Sequence, residues 1–199
     1  MKKQTLTVLT AAMTMAVAGT ASAAVVTNIV TRDVTSEEIG GGAPDGGTVI
    51  QFFLDSTADI LSVNDVSFVL TEGAFYQDGL GADDEAPNPT FVAAFPALGV
   101  DSFINTPGGT SILPGFVTTT SEFSGTWGDL TDDGAQAGFL FAQFTTTADA
   151  VGTYSFDIAF AGAQGPEEQS FSGTIPIPEP SSLALISLGG LLIARRRRG

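Results

Sequence analysis

Carboxylates are the only chemically versatile side chains that this chain holds in quantity. It has 22 aspartates and glutamates, no histidine and no cysteine. Its basic residues are Lys2 and Lys3 at one end, Arg195 to Arg198 at the other, and Arg32 alone between them. A serine or threonine nucleophile needs a neighbouring base, usually histidine or lysine, and residues 24–177 contain neither. Two carboxylates suffice for glycoside hydrolysis, and several could be paired on paper, Asp83 with Glu85 among them. No pair stands out by an apolar setting that would keep one carboxyl protonated, and no long insertion suggests a cleft. We expect no enzymatic activity and assign no catalytic residue.

Zinc, iron and copper sites lack their usual nitrogen and sulfur ligands here, which leaves only a hard cation held by oxygens. Asp129-Leu-Thr-Asp-Asp-Gly134 puts Asp, Thr and Asp at positions 1, 3 and 5 and Gly at 6, as an EF-hand loop does. Position 12 would be Leu140, which cannot supply the bidentate carboxylate, and no helix leads into the loop. Asp83-Asp84-Glu85, before Pro87, is the other acidic run. Both read first as solvated turns, and no metal ligand is assigned. Calcium is the cofactor that the alternative would need, bridging these loops to an anionic polysaccharide. Trp127, the single tryptophan, reads first as core and second as a platform for a sugar ring. Leu113-Pro-Gly-Phe116 lacks the threonine of an LPxTG sorting motif, and proline blocks Asn88-Pro-Thr as a glycosylation acceptor. Thr118 to Ser121 and Thr145 to Thr147 offer hydroxyls for O-glycans, or are simply polar strand faces.

The two ends give addresses. Lys2 and Lys3 precede the apolar segment Leu6 to Val17, and Ala21 and Ala23 make the small-x-small pattern of a secretory signal cut before Ala24. At the other end, Pro178-Glu179-Pro180 leads into the uncharged run 181–194, closed by Arg195, Arg196, Arg197 and Arg198. Fourteen residues make a helix of roughly 21 Å at about 1.5 Å each, a marginal span for a hydrocarbon core of roughly 30 Å. Four arginines do not cross a bilayer easily and should stay on the cytoplasmic side as a stop signal. Prolines cannot extend the helix upstream, so Pro178, Glu179 and Pro180 should be exposed, extended backbone at the outer face.

In its three ordered parts the tail closely resembles the PEP-CTERM sorting signal of exopolysaccharide-producing diderm bacteria. The resemblance covers about 25 of the 199 residues. It implies that a membrane-embedded exosortase grips the Pro-Glu-Pro triplet and removes the helix, so that insertion through 181–194 is transient. It implies nothing about the rest of the chain, because the signal is joined to many unrelated bodies.

Between the ends, residues 24–177 carry 21 carboxylates against one guanidinium, 20 net negative charges. Such a surface repels nucleic acid and anionic lipid, so neither is expected as a partner. Hardly any ion pair can form, and the fold must rest on apolar burial. With no cysteine, disulfides and a lipoprotein anchor are both excluded. About 150 residues make one domain. Period-two alternation marks strands at Ile50 to Asp55, Val66 to Thr71, Tyr154 to Phe160 and, more weakly, Phe171 to Ile175. The phase slips between Phe139 and Thr147, which calls for a bulge or a strand apolar on both faces. Further strands are placed at Ala24–Arg32, Thr90–Phe95, Ile112–Thr119 and Glu122–Trp127, with no helix.

The expected architecture is an all-β, antiparallel β-sandwich, jelly-roll or Ig/cohesin-like, over residues 24–175. It is flanked by a cleaved signal peptide (1–23) and a transmembrane sorting signal (176–199). The run Phe139 to Thr147 with Gly152-Thr-Tyr-Ser-Phe156 faintly resembles the late strands of cohesin-type sandwiches, and no binding residue comes with that likeness. The expected role is a non-enzymatic structural or adhesive protein of the cell surface or extracellular matrix, associated with exopolysaccharide. A calcium-dependent or carbohydrate-binding module is the alternative, and a carboxylate-based glycan-active enzyme stands last.

Overall fold

The computed structural model describes residues 25–105, 111–112, 115–129, 134–163 and 165–175. The signal segment 1–23, the whole tail from residue 176, and most of the Asp129–Gly134 loop lie outside them.

Among the described residues, ten antiparallel strands form two sheets. The first has the order β1 (Val25–Asp33), β2 (Thr48–Ser56), β8 (Gln136–Thr146), β4 (Phe103–Ile104). The second runs β10 (Gly165–Ile175), β9 (Val151–Gly162), β3 (Ile60–Glu72), β7 (Glu122–Gly128), β5 (Ser111–Ile112), with β6 (Val117–Thr118) also on β7. The all-β, antiparallel expectation holds. The sheets face each other across one core in which rings from both interlock. Phe52 of β2 meets Phe68 of β3 edge-on at 5.2 Å, Phe68 lies 4.2 Å from Phe144 of β8, and Phe141 lies 4.9 Å from Phe156 of β9. Offset and edge-to-face pairs of this kind add to the area they bury.

Where the phase slips, both expected causes occur. Phe52 faces Ala142 but Phe53 faces Leu140, so Phe141 is an extra residue in β8. Beyond it, Phe141 to Thr146 are all buried, on both sides of the strand. A second bulge bends β3, where Asp65 takes a left-handed φ of 49° that aspartate tolerates better than most residues.

Three expectations are corrected. Thr90–Phe95 is not a strand: Pro89–Val92 is a short helix, α2, because Asn88 caps it by accepting from the Thr90 N–H (2.9 Å) and Pro89 presets the first turn. Ile112–Thr119 is not one strand but the two-residue β5 and β6. The chain is also not helix-free. Helix α1 (Ser36–Gly40) starts in a Thr35/Glu38 capping box, and a 3-10 turn covers Pro96–Val100.

Those helical pieces cover the outer side of the first sheet, where Val34, Ala43, Val49, Ala97 and Val100 form a second, smaller core. Among the described residues, no helix or second layer covers the outer side of the second sheet. Ser172, Ser155, Ser67 and Ser124 lie in register there across β10, β9, β3 and β7.

Candidate functional site

The long excursion between β3 and β4 gathers the acidic run, and the structure decides what its carboxylates do. Asp101 is buried directly after the 3-10 turn, 1% exposed, and its Oδ1 accepts from the Asp78 N–H at 2.6 Å. Asp78 accepts in turn from the Leu80 N–H (2.9 Å) and the Tyr76 hydroxyl (3.0 Å). Asp83 accepts from Gln77 Nε2 (3.0 Å) and from the Thr118 hydroxyl, which ties the loop to β6. Gly81 has to be glycine, because a Cβ there would collide with Asp101 Oδ2. Burial, with help from the Asp78 and Asp83 charges, pushes Asp101 up to about 6 against the pull of the Asp78 and Ser102 N–H groups. Burial and the Asp78 carboxylate likewise push the Tyr76 hydroxyl well above its ordinary range.

These oxygens are committed to protein donors and hold a loop in place. Among the described residues, no three carboxylate, histidine or cysteine groups are arranged to hold a metal ion. Asp84 and Glu85 are exposed. In the second acidic loop, the flanking Asp129 N–H donates to Leu61 O (2.9 Å) and the Gly134 N–H to Asp59 Oδ1 (3.2 Å). Leu140, at the twelfth position, is a β8 residue paired with Phe53.

The other candidates resolve in the same physical terms. Trp127 is buried and stacks on Phe141 with ring centroids 5.2 Å apart, so it belongs to the core and cannot serve as a sugar platform. The hydroxyls of Thr145 and Thr146 are equally closed to glycosylation, because both residues are buried in β8. Thr145 Oγ1 has no hydrogen-bond partner there. Thr119 and Ser121 are exposed, while Thr118 is spent on Asp83. Leu113 and Pro114 lie outside the described residues, and Phe116 packs against the main core. Two shallow depressions of about 330 and 300 Å³ open beside α2. The first is lined by Arg32, Glu37 and Glu38, the second mainly by apolar groups such as Pro87, Val92 and Phe103.

Arg32 makes the one ion pair among the described residues. Its two guanidinium nitrogens meet Glu38 Oε1 and Oε2 at 2.8 and 3.0 Å. Burial raises Glu38, but Arg32 together with the backbone and hydroxyl of Thr35 more than reverses this and holds its carboxyl below the usual range. Sequence reasoning missed this group, although Thr35-Ser-Glu-Glu38 is a legible capping box. The burial of Asp101 was also missed; its signal was a carboxylate set inside the apolar run Ala97 to Ile104.

The remaining expected site residues lie at the ends, and what the fold contributes is geometry. Val25 pairs with Ser56, and Gly165 with Gly162, at one pole. Asp33 pairs with Thr48, Thr48 with Thr146, and Ile175 with Gly152 at the other. The chain thus enters the described body at one pole and leaves it at the opposite one. Ile175 is buried, and the Pro178-Glu179-Pro180 triplet follows almost at once. Ala21, Ala23, Pro178 to Pro180, the 181–194 segment and Arg195 to Arg198 all lie outside the described residues. Among those described, no helix is long and apolar enough to cross a membrane.

Comparison with known families finds the PEP-CTERM protein-sorting motif at residues 176–198. No curated protein and no solved structure matches the chain.

Proposed function

From the premise that this chain carries a PEP-CTERM sorting motif, and is thus an exported substrate of exosortase sorted at the membrane toward the cell surface, we propose a non-enzymatic structural or adhesive role. The mature protein is a single acidic β-sandwich, exported through a signal peptide over 1–23, anchored briefly through 181–194 and then clipped. It is retained at the surface or in the extracellular matrix, in association with exopolysaccharide. The observation that carries this reading is the motif itself, which begins directly after the last residue of β10. Its support in the body is chemical: residues 24–177 hold no histidine, cysteine or lysine, and the buried acid of the cluster is spent on backbone donors. The carbohydrate-binding alternative loses its aromatic platform with the burial of Trp127.

Glu179→Ala tests the sorting step. The variant should accumulate as an uncleaved, membrane-retained polypeptide, while the parent is recovered outside the inner membrane with a mass showing both ends trimmed. An intact, soluble, intracellular parent would sink the reading.

A further inference from the structure

The acidic excursion between β3 and β4 begins with a turn, and one buried side chain holds it down. Residues 78–82 fold back on themselves: the Gly81 N–H bonds the Asp78 carbonyl (3.0 Å) and the Leu80 N–H bonds Asp78 Oδ1 (2.9 Å). Each end of the turn is tied to the body by its neighbour in sequence. Tyr76 donates its N–H to the Thr145 carbonyl (2.7 Å), and its own carbonyl accepts from the Ser102 N–H (3.1 Å). Beyond the turn, the Ile104 N–H bonds the Asp83 carbonyl (2.9 Å), and the Thr118 hydroxyl bonds the Asp83 carboxylate. Between those ties the turn rests on Asp101, whose Oδ1 takes the Asp78 N–H at 2.6 Å and whose Oδ2 lies against Gly81. Leu80, at the tip, is 68% exposed and stands in solvent.

This grip is electrostatically one-sided. A buried carboxylate ordinarily needs a cation or a full set of donors beside it. Asp101 is 1% exposed, and the charges that face it are those of Asp78 and Asp83. The Tyr76 hydroxyl is turned to Asp78 instead (3.0 Å). From β8 comes neutral Gln143, which bonds the Asp101 carbonyl (2.9 Å). Neither the 3-10 turn Pro96–Val100 nor β4 holds an ionisable residue, and Arg32 is engaged with Glu38. Three carboxylates that share a site without a cation do not all ionise together, and the most buried is the one that keeps its proton longest. Burial and the two neighbouring charges, opposed only by the Asp78 and Ser102 N–H groups, accordingly move Asp101 from 3.8 to about 6. Because Oδ1 already accepts, the proton belongs on Oδ2, the oxygen that meets Gly81.

We propose that residues 78–82 are a proton-operated latch: protonated Asp101 holds the turn shut, and loss of that proton to water lets the turn swing out while both sheets stay folded. The opening is local because the ties at Tyr76 and Asp83 are made to β4, β6 and β8 and not to the Asp101 carboxyl. What lifts is the cover over Tyr76, whose ring packs against the second core of Val34, Ala43, Val49, Ala97 and Val100. The sign follows from linkage. The grip is whole below about 3.8 and weakens as the pH rises through about 6. From about pH 5 to about pH 7.5, the equilibrium constant for opening should rise about tenfold. None of this depends on the sorting reading.

Amide hydrogen exchange reads the opening directly, on the full-length chain in mild detergent and in high salt, which screens the general repulsion. With intrinsic rates divided out, protection of the Asp78, Leu80 and Gly81 amides should fall about tenfold between those two pH values. At both, these amides should exchange faster than Phe156 and Ile158 inside β9, whose release needs the sheet itself to open. In Asp101→Asn the fall should shrink to less than about twofold, since the side chain can no longer ionise. Asp78→Asn keeps the N–H and a side-chain oxygen but removes one facing charge, and should give an intermediate fall. That variant carries the test alone if Asp101→Asn loses its β9 protection and so fails to fold. Turn amides as well protected as those of β9 would overturn the latch, because the turn would then open only with the whole fold. So would a parent whose turn shows no fall, or a fall of the parent's size in whichever variants fold.

Discussion

Strands β8 and β9 lie in facing sheets, joined only by Thr147 to Ala150, yet they are buried in different ways. β9 alternates: Phe156, Ile158 and Phe160 point inward while Val151, Thr153 and Ser155 are exposed. β8 is buried on both sides from Phe141 to Thr146. On one side that burial comes from the shared core, on the other from a layer with little strand structure that includes Gly99, Asp101 and Ser102. The hinge of this layer is Gln143. Its Nε2 donates to the carbonyls of Gly99 (3.1 Å) and Asp101 (2.9 Å), and its Oε1 accepts from Gln51 Nε2 (2.7 Å). A polar residue in the middle of a buried strand is thus what fastens the layer down. Among the described residues the second sheet carries no such layer, and small hydroxyls such as Ser155 and Ser172 stand exposed on its outer face.

The contrast can be broken or sharpened by substitution. Gln143→Leu should be the most damaging, since it fills the same space but strands two buried carbonyls. We expect a loss of about 2–4 kcal/mol in denaturant unfolding. A loss no greater than that of a surface change would mean that the layer is not fastened there.

Asp101 comes next, and its effect depends on pH. The carboxyls of Asp78 and Asp83 face it, the Tyr76 hydroxyl shares the Asp78 carboxylate, and burial dominates. A folded pKa of about 6 lies above the ordinary 3.8. The contribution of Asp101 to stability is therefore fully present below about 3.8 and is lost as the pH rises through about 6. Melting curves between pH 4 and 7 should show the protein stabilised on acidification by on the order of 2 kcal/mol from this group. Asp101→Asn should flatten that window while still accepting the Asp78 N–H. High salt separates this local effect from the general repulsion among 20 net negative charges. An unchanged pH dependence in Asp101→Asn would refute the assignment.

Ser155→Ala, on the open face of β9, should change stability by less than about 0.5 kcal/mol. A larger loss would show that the hydroxyl field is fastened to something, and the two faces would no longer differ in kind.

The same contrast explains what could be read from the sequence. Strands covered on one side announce themselves, as Tyr154 to Phe160 does, because water and core alternate along them. A strand covered on both sides loses that rhythm, and β8 showed only a slip of phase between Phe139 and Thr147. The covering layer was hardest to see. Its apolar residues, Ala97, Leu98, Val100 and Phe103, follow no period because they hang from turns and short helices. Two of its markers were nonetheless local and legible, Asn88-Pro89 as a helix start and Thr35 with Glu38 as a capping box. Neither stands beside an amphipathic stretch long enough to suggest a helix. For the sorting tail the position was reversed, since its three parts are read by order and composition alone.

The pairing of Arg32 with Glu38 has one more consequence. Proteases of the trypsin type cut after lysine or arginine, and between Ala24 and Ile177 this chain offers them a single bond, after Arg32. That bond lies within β1, beside a guanidinium gripped at both of its outer nitrogens. To enzymes of that type the stretch between those two residues therefore offers almost nothing to digest.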